Sequence, residues 1–314
     1  MNYVRRQYEK ITNSSFVAVI VKISKKLILP GFDGMSFYDV MRFFFIGIER
    51  GSITMRASAV SFNFFMALFP AILFFFTLIP YLPIDGFQDS LLAILQDIIP
   101  REIYATVEDT LFDIITRPRG GLLSIGFLLT LYFATNGVNS VIEAFNQTYH
   151  TIETRSFIRQ QLVSVGLVLV LSLMIIVGTS LVTLGPIVLD RLMEFGVIKG
   201  RYTVEIIIVI KWIIVVGMFL LMYSLLYFFG PATKKEFRFV SAGSILASLL
   251  TIVTSIGFNY YVSNFSRYNT LYGSIGTLLV FMLWIYFNSI ILLMGFELNA
   301  SILRAKRTKG RKKV

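Results

Sequence analysis

Six stretches of the chain are long and apolar enough to cross a bilayer: about 57–79, 122–146, 162–184, 206–229, 240–262 and 274–300. A helix needs about 20 such residues to span a hydrocarbon core roughly 30 Å thick. Breakers mark several of the ends. Pro80 and Pro83 close the first stretch, Gly185-Pro186 the third and Gly230-Pro231 the fourth, while Pro70 predicts a kink inside the first. Ahead of them, residues 1–56 hold no spanning run. SFVAVIVKISKKLIL (15–29) and SFYDVMRFFFIGIER (36–50) mix apolar and basic positions, with Pro30, Gly31 and Gly34 between them and Ser36 placed to cap the second. They predict short amphipathic helices that lie on the inner leaflet or fold as a cap on the bundle.

Between the first two spans, residues 84–120 place Leu91, Leu92, Leu95 and Ile98, then Ile103, Val107, Leu111 and Ile114, at helical spacing on either side of Pro100. This pattern predicts a helical hairpin outside the membrane. The chain divides into 1–56, amphipathic helices; 57–303, the membrane domain; and 304–314, a basic tail expected to be disordered beyond its first turn. The fold class is an all-α polytopic membrane protein with six transmembrane helices.

Charge orients it. Six spans put both termini on one side, and that side carries 21 Lys and Arg against seven on the other. The positive-inside rule makes the richer side, and both termini, cytoplasmic. Composition agrees with a membrane location: 56% of the 314 residues are hydrophobic, 30 are Phe, and mean hydropathy is +0.74. A net charge of +11 would suggest nucleic acid in a soluble chain. Here basic loops and anionic lipid headgroups explain it, so lipids are the expected partners and nucleic acid is not. With no Cys and one His, thiolate chemistry is excluded and imidazole chemistry has little to work with. No phosphate-binding loop, no G-x-S-x-G elbow and no H-E-x-x-H motif occurs. A cofactor-free, non-enzymatic protein follows.

The second span carries Asn136, Asn139, Glu143 and Asn146 at steps of three, four and three, which share one helical face. Counted from Gly121, Asn136 lies roughly 22 Å deep and Glu143 roughly 33 Å, towards the inner surface. The sixth span repeats the arrangement with Asn288, Glu297 and Asn299, and SIGFLL (124–129) is matched by SIGTLL (274–279), as in a parallel internal repeat. Together these residues predict a polar vestibule facing the cytoplasm, rimmed by Arg155, Arg159, Lys234, Lys235 and Arg238. The alternative is that the asparagines bond helix to helix and the glutamates sit wet at the interface, paired with those bases. On the outer half, Ser255 and Asn259 continue a polar strip on the fifth span, and Lys211 stands near the start of the fourth.

LYGSIGTLLVFMLWIYFNSIILLMGFELNA (271–300) resembles the closing signature of the YihY/BrkB family of bacterial inner-membrane proteins, through Tyr272-Gly273, Trp284 and Gly295-x-Glu297-Leu298-Asn299-Ala300. RASAVSFNFFMALFPAILFF (56–75) resembles its first span, and Ala144-Phe145-Asn146-x-x-Tyr149, followed by Arg155, its second. The resemblance covers about residues 35–303 and implies six helices with an external hairpin. It brings no agreed mechanism, and it points towards envelope integrity and the movement of lipids or other anionic envelope components. A ribonuclease label that some members bear conflicts with the absence of a metal-binding cluster. The function expected is transport or flippase-like handling of an amphipathic anionic envelope component. The alternatives are a structural or partner-recruiting envelope protein and a solute exporter or channel.

Overall fold

A computed structural model describes residues 15–82, 86–98, 101–148, 151–152, 155–194, 202–232, 239–264 and 266–311. These form helices α1 (Ser15–Lys26), α2 (Phe37–Arg50), α3 (Ile53–Leu78), α4 (Phe87–Ile98), α5 (Arg101–Thr116), α6 (Gly120–Asn146), α7 (Phe157–Glu194), α8 (Tyr202–Phe229), α9 (Ala242–Asn264) and α10 (Ser266–Arg311). A two-residue ribbon, β1 (Gln147–Thr148) and β2 (Thr151–Ile152), pairs antiparallel after α6. Helices α3, α6, α7, α8, α9 and α10 contain six stretches long and apolar enough to span a membrane. The chain is an all-α polytopic membrane protein.

The spans pack in a closed circuit, α3 on α6, α6 on α7, α7 on α8, α8 on α9, α9 on α10 and α10 back on α3. Small residues permit the closest approaches. A Cβ on Gly126 of α6 would come within 3.3 Å of the Phe74 backbone of α3, and one on Gly295 of α10 within 2.7 Å of the Gly243 carbonyl of α9. Bulkier residues there would push the helices apart.

Burial is lopsided along the helices. Buried residues gather where α3, α7 and α9 begin and α6, α8 and α10 end, which is one end of the bundle, called here the base. Ile53, Ala57 and Val60 meet Val141, Ile142 and Phe145, Leu167 and Val168, Tyr223 and Tyr227, Ala247, and Leu293 and Phe296 in one apolar core. At its centre the rings of Phe145 and Phe296 stack 4.3 Å apart, and Tyr227 meets Phe145 edge-on. Towards the other end the same helices expose Leu169, Leu173, Ile176 and Leu181 of α7, Ile213 of α8, and Val253, Ile256 and Tyr260 of α9.

The N-terminal helices behave differently from each other. Ser36 caps α2 by accepting from the Asp39 N–H at 3.1 Å, as the sequence predicts. Helix α2 then folds onto the bundle: Val40 and Phe44 pack with Phe32, Met35, Leu298, Ile302 and Ala305 in a second core at the base. Helix α1 touches α2 and leaves Val19, Lys22, Ile23, Lys25 and Lys26 exposed.

Two expectations need correction. Gly185-Pro186 does not end the third spanning helix, since α7 runs on to Glu194. Apolar residues continue beyond it, and long membrane helices tolerate an internal Pro when neighbouring groups take up the freed carbonyl. The basic tail is also helical as far as Arg311 rather than disordered after one turn. Its helix is held by the second core, by Lys306 3.7 Å from Asp33, and by Arg304 over the Phe43 ring at 5.7 Å.

Candidate functional site

The polar residues of the spans meet at the base, and there they bind one another. Arg56, in the first turn of α3, donates from Nη1 to the Ala144 carbonyl of α6 at 2.6 Å. Its Nη2 lies 3.6 Å from Oε2 of Glu297 on α10. Asn299, two residues on, accepts from the Gly243 N–H of α9 at 2.8 Å and donates to Ser241 Oγ at 2.8 Å. Tyr223 of α8 shares a 2.6 Å hydrogen bond with Thr251 of α9, and Tyr227 donates to the Leu292 carbonyl of α10 at 2.8 Å. Asn139 of α6 donates to Gln161 Oε1 of α7 at 2.7 Å and accepts from Ser164 Oγ. Asn146 accepts from the Ala232 N–H, just past α8, at 2.9 Å. Arg155, just before α7, donates to the carbonyls of Phe229, Gly230 and Pro231 at the end of α8. Every neighbouring pair in the circuit is therefore tied at the base by a polar contact.

This geometry rearranges the sequence-predicted site. Asn139, Asn146 and Asn299 are bonded between helices or to the chain beyond them. Asn146 and Asn299 are buried, and neither lines an open vestibule. Asn288 donates to the Trp284 carbonyl of its own helix at 2.8 Å, and Asn136 is half-buried. The two glutamates part company: Glu143 is exposed, whereas Glu297 is 0% exposed. The reading of Glu297 as wet at the interface is corrected by that burial, and the likeness between the ends of α6 and α10 stops short of their carboxylates. Of the basic rim, Arg155 is committed to three carbonyls, and burial, then the neighbouring Arg159, pulls its guanidinium below its ordinary value. Arg159 is exposed. Lys234, Lys235 and Arg238 lie outside the described residues. On the other half, Lys211 and Asn259 are exposed and Ser255 is half-buried.

The residue that sequence reasoning passed over is Arg56, counted only as one more base of the positive side. It is 9% exposed and meets α6 and α10 at once. Two glycines clear its surroundings. A Cβ on Gly47 of α2 would collide with Glu297 Oε1, and one on Gly51 would stand 3.0 Å from Arg56 Nη2. The available signal was a lone charge at the head of an apolar run, preceded by two glycines four residues apart.

Among the described residues, no group of three or more His, Cys, Asp and Glu side chains is placed to hold a metal ion. What the base offers chemically is a buried guanidinium, a buried carboxylate and a ring of hydrogen-bonded amides and hydroxyls.

Known proteins have similar sequences. The chain is 31% identical over 252 residues to the ribonuclease-like protein YfkH of Bacillus subtilis, covering 80% of this chain and 90% of that one. It is 23% identical over 274 residues to a UPF0761 membrane protein of Alteromonas mediterranea, covering 86% and 90%, and 22% identical over 269 residues to another from Mannheimia succiniciproducens, covering 82% and 87%. No solved structure matches. The profile of the family described as Virulence factor BrkB matches residues 44–314, a range that takes in all six spans, Arg56 and the Gly295–Ala300 segment, and the chain belongs to that family.

Proposed function

We propose that this protein moves an amphipathic, anionic component of the envelope across the bacterial inner membrane, with both termini in the cytoplasm and no covalent chemistry on its cargo. The observation that carries the reading is the asymmetry of the bundle. Its polar ties and apolar core gather at the base, while towards the opposite end described residues of α7, α8 and α9 expose large apolar side chains. A transporter that alternates access needs one end sealed while the other admits substrate. Apolar walls suit acyl chains, and the half-buried and exposed Ser255 and Asn259 offer hydrogen bonds on the open half. The excess of Lys and Arg on the side of the termini supports a cytoplasmic base. A ribonuclease activity, suggested by the name of YfkH, finds no support in a base whose amides are engaged in helix-to-helix contacts and whose described residues hold one buried carboxylate, Glu297.

The test is translocation in vesicles. The purified chain is reconstituted into liposomes carrying fluorescent phosphatidylglycerol or phosphatidylcholine, and a membrane-impermeant quencher reads how fast label leaves the inner leaflet. Faster loss of labelled phosphatidylglycerol than in protein-free vesicles is the expected result. Rates equal to those of empty vesicles for both lipids would overturn the reading.

A further inference from the structure

We propose that Arg56 is an oxyanion-binding site that takes the phosphate of a lipid headgroup in exchange for Glu297. The inference deepens the transport reading and rests on it for its biological purpose, although binding is measured apart from transport.

A guanidinium presents its donors along fixed edges, and the edge formed by Nε and Nη2 matches two oxygens of a phosphate. In Arg56 the third nitrogen, Nη1, is occupied by the Ala144 carbonyl. Nε and Nη2 are buried, and among the described residues neither donates a hydrogen bond. Glu297 faces this edge from 3.6 Å, an ion-pair distance beyond hydrogen-bonding range. The other polar ties at the base have contacts of 3.0 Å or less. A guanidinium that is 9% exposed with its fork unsatisfied is costly to keep unless the fork has a use. The carboxylate opposite balances its charge at ion-pair distance.

Access is built in next to it. Gly47 and Gly51 bring the backbone of α2 and its C-terminal turn directly onto the pair, so backbone alone, with no α2 side chain, stands between the pair and α2 at these two positions. Exposed Lys22, Lys25 and Lys26 on α1 lie towards the start of α2, where Lys25 stands over the Tyr38 ring, and add positive charge that draws anionic headgroups to the α1–α2 segment.

The experiment compares binding of phosphatidylglycerol, phosphatidylcholine with the same chains, and inorganic phosphate to the purified full-length chain, by native mass spectrometry and thermal shift. The wild type should prefer phosphatidylglycerol. R56K, which keeps the charge but loses the fork, should lose that preference by about tenfold, a difference of about 1.4 kcal/mol. E297Q, which removes the competing carboxylate, should bind phosphatidylglycerol more tightly. R42Q, which removes one exposed arginine from α2, should change the preference far less than R56K. The swap R56E/E297R should recover thermal stability relative to R56E alone without recovering lipid preference. Competition by inorganic phosphate at comparable concentration would assign the site to the free ion rather than the lipid, and would overturn the lipid part of the proposal. Preference retained in R56K, or restored by the swap, would show a purely structural ion pair and overturn the whole. Selective binding without translocation in vesicles would defeat the transport reading and leave the site standing.

Discussion

Arg56 and Glu297 face each other at 3.6 Å inside the packed base, joining the first spanning helix to the last. Removing one member strands the other in a low-dielectric setting, which costs about 3–5 kcal/mol in comparable buried pairs. Glu297→Ala and Arg56→Ala should each lower the unfolding temperature in detergent markedly. Replacing both by Met should recover most of the loss, and a double variant no better than the singles would remove the pair from the stability of the base.

Gly47 has no room for a side chain because Glu297 Oε1 occupies the space. Gly47→Ala should destabilise the chain by about 1–3 kcal/mol through overpacking. Gly217→Ala, at a position with nothing within 4 Å, should leave the melting curve almost unchanged. Equal effects at the two positions would mean that α2 does not lie against the pair.

The amides can be ranked. Asn299→Ala leaves the Gly243 N–H and Ser241 Oγ without their partner in a buried site and should cost about 1–3 kcal/mol. Glu143→Gln, at an exposed position on α6, should fall within about 0.5 kcal/mol of wild type. Chemical-denaturant midpoints of the two variants, measured side by side, check the order.

The chain contains no Cys, so single cysteines report water access without a background. Asn259→Cys, exposed on α9, should react with a charged, membrane-impermeant thiol reagent. Ser244→Cys, fully buried on the same helix near the base, should resist it until the protein is unfolded. Ready labelling of both would mean that the base is not sealed.

Much of the architecture was readable from the chain. The apolar runs, their breakers and the Ser36 cap predicted six spans and α2, and the 87–116 segment formed two helices where the alternation around Pro100 placed them. The two misses share a physical cause. Gly185-Pro186 and the basic tail read locally as ends of structure, but packing and helix continuity override a local breaker or a run of like charge. The Asn139, Asn146 and Asn299 positions were also visible, since amides recur at helical spacing. Which way each side chain turns was not, because a polar face is compatible with water, a cavity or another helix. Glu143 and Glu297 occupy similar sequence surroundings and differ in what approaches them: α2, through Gly47, covers the second and not the first. That difference arises from a contact between distant segments. Arg56 was overlooked for the same reason, its partners lying on α6 and α10.

The tie between α3 and α10 also sets an order of assembly. During synthesis the helix bearing Arg56 forms first and the helix bearing Glu297 last, so the guanidinium waits through the insertion of four intervening spans before its counter-charge arrives. Until then the base cannot close, and the nascent bundle carries a charged, unfinished seam. Arrival of the final helix completes the ion pair, the Asn299 bonds to α9 and the Phe145–Phe296 stack together. Helix α10, made after the other five spans, is thus the keystone of the bundle, and a ribosome-bound chain halted before it should be a substrate for membrane quality control rather than a smaller working protein.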